Sequence, residues 1–268
     1  CLNLIYLQKR KETEIQRTEQ AQQVYDQVQE LYNKDQVGIL ELNKAKVVWM
    51  QEQFKIEQLE ADIRNGLNQL TNLNGGNEIE FLLSDYVSPL MLPSRDSLWQ
   101  DKLNQDPELV QLRQQELISE QSLSLANQQY LPNITAGYNS QGVAGERFSG
   151  IYAVVSIPLW SNRHKVQSAR SNQAYQESLS ESMTLQVNAD FEKLFNDYQL
   201  MLAKYQEYKN TLSALNSDQL LFQAYRLGEL SFLEYYMELQ FYREAYDAML
   251  EMEYQLYISQ NQLLKHQL

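Results

Sequence analysis

The apolar positions of this 268-residue chain fall into two long stretches of the same design. Leu42, Trp49, Ile56, Ile63 and Leu70 recur every seven residues, a 3.5-residue period that predicts a helix carrying one side of a coiled-coil seam. Tyr235, Tyr242, Met249, Leu256 and Leu263 repeat the pattern. The row beside the first stripe, Ala45, Glu52, Leu59, Gly66 and Leu73, is poorer. Shallow packing between neighbouring helices is therefore expected, with no thick sealed core.

The two stripes are copies. Sliding the chain on itself by 193 residues, so that Lys11 meets Lys204, also pairs Ala21 with Ala214, Tyr32 with Tyr225, Leu40 with Leu233, Glu41 with Glu234 and Glu60 with Glu253. Asn68, Gln69 and Leu70 fall on Asn261, Gln262 and Leu263. Each stripe is preceded by a further helical stretch and a short interruption, Tyr32-Asn33-Lys34-Asp35-Gln36-Val37-Gly38 in one copy and Tyr225-Arg226-Leu227-Gly228-Glu229-Leu230-Ser231 in the other. Gly228 can take a positive φ without steric cost, and its aligned partner Asp35 is of a type that tolerates it well. Two antiparallel helical hairpins are predicted, over 1–74 and 159–268, with tips near 33–38 and 226–231. Residues 163–227 show no break in pattern, and an unbroken helix there would span roughly 97 Å.

Between the copies, Leu73-Asn74-Gly75-Gly76 ends the first hairpin, and 75–105, with Pro89 and Pro93, reads as an irregular connector. A helix over 106–132 starts at Asp106-Pro107-Glu108-Leu109, a good cap followed by a good first residue, and stops at Leu131-Pro132. Two alternating runs follow within 133–158, Asn133-Ile134-Thr135-Ala136-Gly137-Tyr138-Asn139 and Ile151-Tyr152-Ala153-Val154-Val155-Ser156-Ile157, joined through Gly142, Gly145 and Gly150. Their length and alternation fit strands of a membrane β-barrel, and a soluble hairpin as well. Pro158 closes the second strand, and Leu159-Trp160-Ser161-Asn162 leads back to helix.

Composition narrows the function. A net charge of -13 argues against nucleic-acid binding, which needs clustered Lys and Arg. The acidity fits a solvated helical surface and equally an acidic, water-filled passage. One cysteine, Cys1, excludes a disulfide framework and any multi-thiolate metal site. No 18-residue apolar run is present, so contact with a bilayer has to be made by strands. His164 and His266 lie far apart with no Cys or His at ligand spacing, and Met249 and Met252 read as packing residues, so no metal or cofactor is expected. No nucleophile elbow, phosphate loop or convergent Ser, His and Asp set is present, which argues against catalysis.

A helix ending in Leu131-Pro132-Asn133-Ile134, two strands, an exit through Ile157-Pro158-Leu159-Trp160 and a long helical hairpin, in that order with Asp106-Pro107-Glu108-Leu109 upstream, resemble the TolC family of outer-membrane efflux proteins. The resemblance implies a mainly α fold with a small β part: helical hairpins in a coiled-coil tunnel, and a β-hairpin given to a 12-stranded barrel shared by a homotrimer in outer-membrane lipid. It also implies a periplasmic adaptor and an inner-membrane pump of the resistance-nodulation-division type as partners. The tips and Leu73-Asn74-Gly75-Gly76 are similar to the branch exporting heavy-metal cations, as in cobalt-zinc-cadmium and copper-silver systems. The family has two strand pairs per protomer, and the offset places Cys1 on Leu194 inside a helix, so the sequence reads as a fragment lacking an N-terminal part, with Cys1 as an interior residue.

By the same resemblance the tip residues Asp35, Val37, Gly38, Gly228, Leu230 and Ser231 face the periplasm and meet the adaptor, which would give exposed Val37 and Leu230 a partner. Glu41 and Glu234 sit just past the tips, and relatives often carry an acidic residue at the latter position near the pore entrance. The next acidic position of that pattern is Met237 here. A pore-entrance role and an ordinary surface or interhelical carboxylate both remain open. The alternative function is a soluble coiled-coil scaffold without a pore.

Overall fold

The structure, a computed structural model, describes residues 1–87, 89–129, 132–143, 145–156, 163–215 and 217–267. It is mostly helical with one β-hairpin, and it divides into two compact units, Cys1–Leu92 with Leu194–Leu263 and Pro93–Lys193 with Leu264–Leu268.

The first unit holds two helical hairpins. The first pairs α1 (Leu2–Asn33) with α2 (Ile39–Leu73). The second joins α6 (Ser217–Arg226) to α7 (Phe232–Leu264), with α5 (Arg163–Ala214) contributing its residues from Leu194 onward. The expected single helix over 163–227 is two helices. Near the break, the Ser213 hydroxyl donates to the Asn210 carbonyl (3.1 Å), and the Leu215 N–H reaches back to Leu212. Side chains of this kind offer the backbone alternatives to the helical ladder.

The seam is narrow, but α2 uses the row that looked poorer. Ala45, Glu52 and Leu59 are its buried residues, while Leu42, Trp49, Ile56, Ile63 and Leu70 are half-buried. Small side chains let the neighbouring helix approach. A Cβ on Gly66 would lie 2.6 Å from Leu4 Cδ2, so the bulky stripe is pushed to the flank. In α7 the stripe stays inside, with Tyr235, Met249, Leu256 and Leu263 buried. The segment before Leu92 is tied down by Lys9 on Asp85 (3.0 Å), Tyr86 stacked on Tyr257 (3.9 Å) and Gln260 donating to the Pro89 carbonyl (2.8 Å).

The second unit holds α3 (Arg95–Gln105), α4 (Pro107–Gln128), the hairpin of β1 (Asn133–Val143) and β2 (Glu146–Ser156), the start of α5 and a 3₁₀ turn at Lys265–Gln267. The connector over 75–105 is thus not irregular throughout. Ser94 caps α3 by accepting from the Ser97 N–H (3.3 Å), a start signal straight after Pro93. Asp106 caps α4 through the Glu108 N–H (3.0 Å), with Pro107 in the first turn. Leu98 and Leu109 are buried, and Trp99 packs on Phe191 (5.4 Å). The motif residues Leu131 and 157–160 lie outside the described residues.

The strands are antiparallel in the register Ile134↔Val155, Ala136↔Ala153, Tyr138↔Ile151. Those six side chains share one face, since alternate residues point the same way. Thr135, Asn139 and Gln141, with Tyr152 and Val154, make the other, mixed face. Tyr152 crosses Gly137, where a Cβ would come 2.6 Å from its hydroxyl. Every apolar residue of the first face is exposed, and toward the turn that face continues through Ser140, Ser149 and Arg147. Among the described residues no helix is long and apolar enough to cross a membrane.

Candidate functional site

The two tips are built alike. Asp35 has φ 58° and Gly228 has φ 76°, each just past a helix C-terminus. In the first tip the Gln36 N–H bonds Leu31 O (2.9 Å) and the Asp35 N–H bonds Tyr32 O (3.0 Å). In the second, the Glu229 N–H bonds Ala224 O and the Gly228 N–H bonds Tyr225 O, both at 3.0 Å. These are two Schellman closures in which every donor and acceptor is related by the 193-residue offset.

The helices leaving the tips start differently. Ser231 and Glu234 form a capping box: the Glu234 carboxylate accepts from the Ser231 N–H (2.9 Å), and the Glu234 N–H donates to Ser231 Oγ (3.3 Å). The backbone N–H and hydroxyl of Ser231 hold the Glu234 carboxyl below its ordinary value. At the equivalent start of α2, Gly38 has no side chain to cap with, and Glu41 makes no such bond. The Ser-x-x-Glu spacing at 231–234 is the sequence signal for this box.

Behind the tips, Val24, Val28, Ala45, Tyr225, Phe232, Tyr235 and Leu239 form one core, with Val37 and Leu230 half-buried against it. Val37 and Leu230 therefore are not the exposed tip residues expected. Each folds back because the left-handed closure carries the chain over the end of its own helix. The exposed apolar pair is Leu40 (73%) and Leu233 (51%), equivalent under the offset. They line a cleft of about 290 Å³ between the two hairpins, with Gly38, Glu41, Lys44, Ser231 and Phe232. Burial, and then the negative charge of Glu41, pushes the Tyr225 hydroxyl up to about 12.

Deeper in the unit, the hairpins are clamped by charge. Arg17 bridges Glu14 (2.5 Å) and Asp247 (2.9 Å), and Arg243 bridges Glu52 (3.0 Å) and Gln20 (3.3 Å), with Lys55 on the other oxygen of Glu52 (2.9 Å). Burial raises the Glu14 carboxyl above its usual range, opposed by Arg17 and Lys55. Burial pulls Glu52 the same way, but Lys55 and Arg243 overcome it and hold Glu52 low. No group of three or more metal-ligating side chains occurs among the described residues.

No protein-family model matches the chain, and no curated protein matches it in sequence. Solved structures do. It is similar to the outer membrane protein VceC from Vibrio cholerae (TM-score 0.76, 14% identity), the outer-membrane channel OprN (0.74, 17%) and the CmeC outer membrane channel of Campylobacter jejuni (0.63, 17%). In each case 99% of this chain is covered, against 67%, 64% and 60% of the other. The chain, with its long helical hairpins and its β-hairpin between them in sequence, thus shares its fold with outer-membrane channels.

Proposed function

We propose that the protein is the outer-membrane channel of an export system: a homotrimer whose β-hairpins join one barrel and whose helices line a periplasmic tunnel. The β-hairpin carries this reading. Two strands with an exposed apolar face and two open edges are not stable in water on their own. Lipid against Ile134, Tyr138, Ile151 and Val155, with neighbouring strands on both edges, supplies what they lack. A soluble coiled-coil scaffold leaves that face without a partner.

In the same reading, the cleft holding Leu40 and Leu233 is the docking site for helical hairpins of a periplasmic adaptor, which links the duct to an inner-membrane pump of the resistance-nodulation-division type. Asp35, Gly38, Gly228 and Ser231 shape this site, and Val37 and Leu230 support it from beneath. Glu41 lines the cleft, and Glu234 serves the helix start before any role at a pore entrance. Heavy-metal cations as cargo rest on the tip sequences and on Leu73-Asn74-Gly75-Gly76 alone.

The test uses the whole protein. Purified from outer membranes it should have the native mass of a trimer and give discrete conductance steps in planar bilayers. Leu40→Asp with Leu233→Asp should keep both properties while abolishing export and crosslinking to the adaptor. A single-chain native mass without conductance would overturn the channel, and unchanged export by the double variant would overturn the docking cleft.

A further inference from the structure

The first face of the β-hairpin carries a charge at its turn end. Along that face the paired rows run Ile134↔Val155, Ala136↔Ala153, Tyr138↔Ile151, Ser140↔Ser149 and Gly142↔Arg147. β1 contains no charged residue that could answer the arginine. Arg147 is exposed and, among the described residues, appears in no ion pair. The register continues to Val143↔Glu146, so the turn takes only residues 144–145.

The strand geometry gives the depth of this charge in a membrane. The three apolar rows, centred on Ala136↔Ala153, are the part of the face suited to lipid tails. Arg147 lies six residues from Ala153 along β2, about 20 Å at 3.4 Å per residue. With strands tilted by about 40° that is roughly 16 Å along the membrane normal, whereas an apolar band of about 25 Å ends roughly 12 Å from its middle. Arg147 therefore stands in the headgroup layer on the turn side, with tails against the rows beneath it. A charge on a lipid-facing strand is costly at the midplane and costs little at that level. The Ser140↔Ser149 row below offers no counter-charge, so the anion has to come from the lipid. The planar fork of a guanidinium matches two phosphate oxygens at once.

We propose that Arg147 binds the phosphate of a lipid headgroup in the leaflet at the turn end of the hairpin, and so fixes how deep the hairpin sits. This rests on the membrane-barrel reading above and adds a ligand class to it, a phosphorylated lipid held from the tail-facing side of the strands.

The test uses the whole protein, purified in a non-ionic detergent and assayed for conductance in planar bilayers. Phosphatidate is the probe, diacylglycerol of the same chains is the control without phosphate, and native mass spectrometry counts the lipids retained. The parent should retain phosphatidate in preference to diacylglycerol. Arg147→Gln should weaken that retention about tenfold or more, as expected for loss of a hydrogen-bonded charge pair, and Arg147→Lys, which keeps the charge without the fork, should fall between. An excess of inorganic phosphate should not displace the lipid. Equal retention by the parent and Arg147→Gln, in a protein that conducts, overturns the headgroup contact and leaves the channel standing. Displacement by inorganic phosphate, or equal retention of diacylglycerol, overturns a phosphorylated lipid as the ligand. A parent without conductance overturns the barrel reading, and this contact with it.

Discussion

Arg243 and Glu52 lie 191 positions apart and meet in a 3.0 Å ion pair with both side chains almost wholly buried. The pair ties the second hairpin to the first at the level where Arg17 bridges to Asp247. Removing one partner of a buried pair strands the other charge, typically at a cost of about 3–5 kcal/mol, whereas replacing both by apolar residues is often near neutral. Arg243→Met should therefore destabilise strongly, and Arg243→Met with Glu52→Leu should recover most of the loss. Denaturant unfolding of the parent, both single variants and the double closes the cycle. A double variant as unstable as Arg243→Met would mean that the pair stabilises the fold beyond what apolar packing replaces.

The neighbouring carboxylates give the unit a two-sided pH dependence. Glu14 is raised above the unperturbed 4.5, chiefly by burial. Between 4.5 and its raised value the folded state binds a proton that the unfolded state does not, so stability gains as pH falls through that window. Glu52 is held below 4.5 against burial, by Lys55 and Arg243. Its contribution is complete above 4.5 and is lost as pH falls below that value. Glu14→Gln should erase the gain and keep the loss, which thermal unfolding of both proteins across the acid range will read. An identical profile in the two proteins would remove Glu14 from the account.

At the tips, the backbone decides. Gly228 has φ 76° with no atom within 4 Å of a would-be Cβ, so Gly228→Val costs only the strain of a β-branched residue in the left-handed region, about 1–3 kcal/mol. Asp35, at φ 58°, already carries part of that strain, and Asp35→Gly should be neutral or slightly stabilising. Amide exchange at Glu229 and Gln36, the closing donors of the two tips, reports each effect locally. Faster exchange at Glu229 in Gly228→Val is expected, and unchanged protection there would show that the closure does not depend on glycine.

The strand register separates the two faces of the β-hairpin. Val155 lies with Ile134, Ala136 and Ile151 on the apolar face, and Val154 opposite Thr135 on the mixed one. If the apolar face meets lipid, Val155→Arg should impair insertion, at a cost of about 2–4 kcal/mol near the midplane, while Val154→Arg should be tolerated. Heat-modifiable mobility of outer-membrane fractions measures this, and equal behaviour of the two variants would count against a lipid-facing side.

The sequence determined the repeat and, with it, most of the architecture. Period and offset depend only on which residues recur, so the paired hairpins, the positions of Asp35 and Gly228 and the cap at Asp106 were all legible in the chain. The caps at Ser94 and Ser231 are equally local signals, because a capping residue acts within one turn of its helix. What the chain order could not give was proximity between the copies. Glu52 sat in the row that looked weak for packing, and only the approach of α7 makes it buried and paired with Arg243. The resemblance implies exposed Val37 and Leu230 at the tips, yet the fold lays them on the tip core and leaves Leu40 and Leu233 outside. Burial and charge pairing are set by partners distant along the chain, so they are fixed by the tertiary structure rather than by any local run of residues.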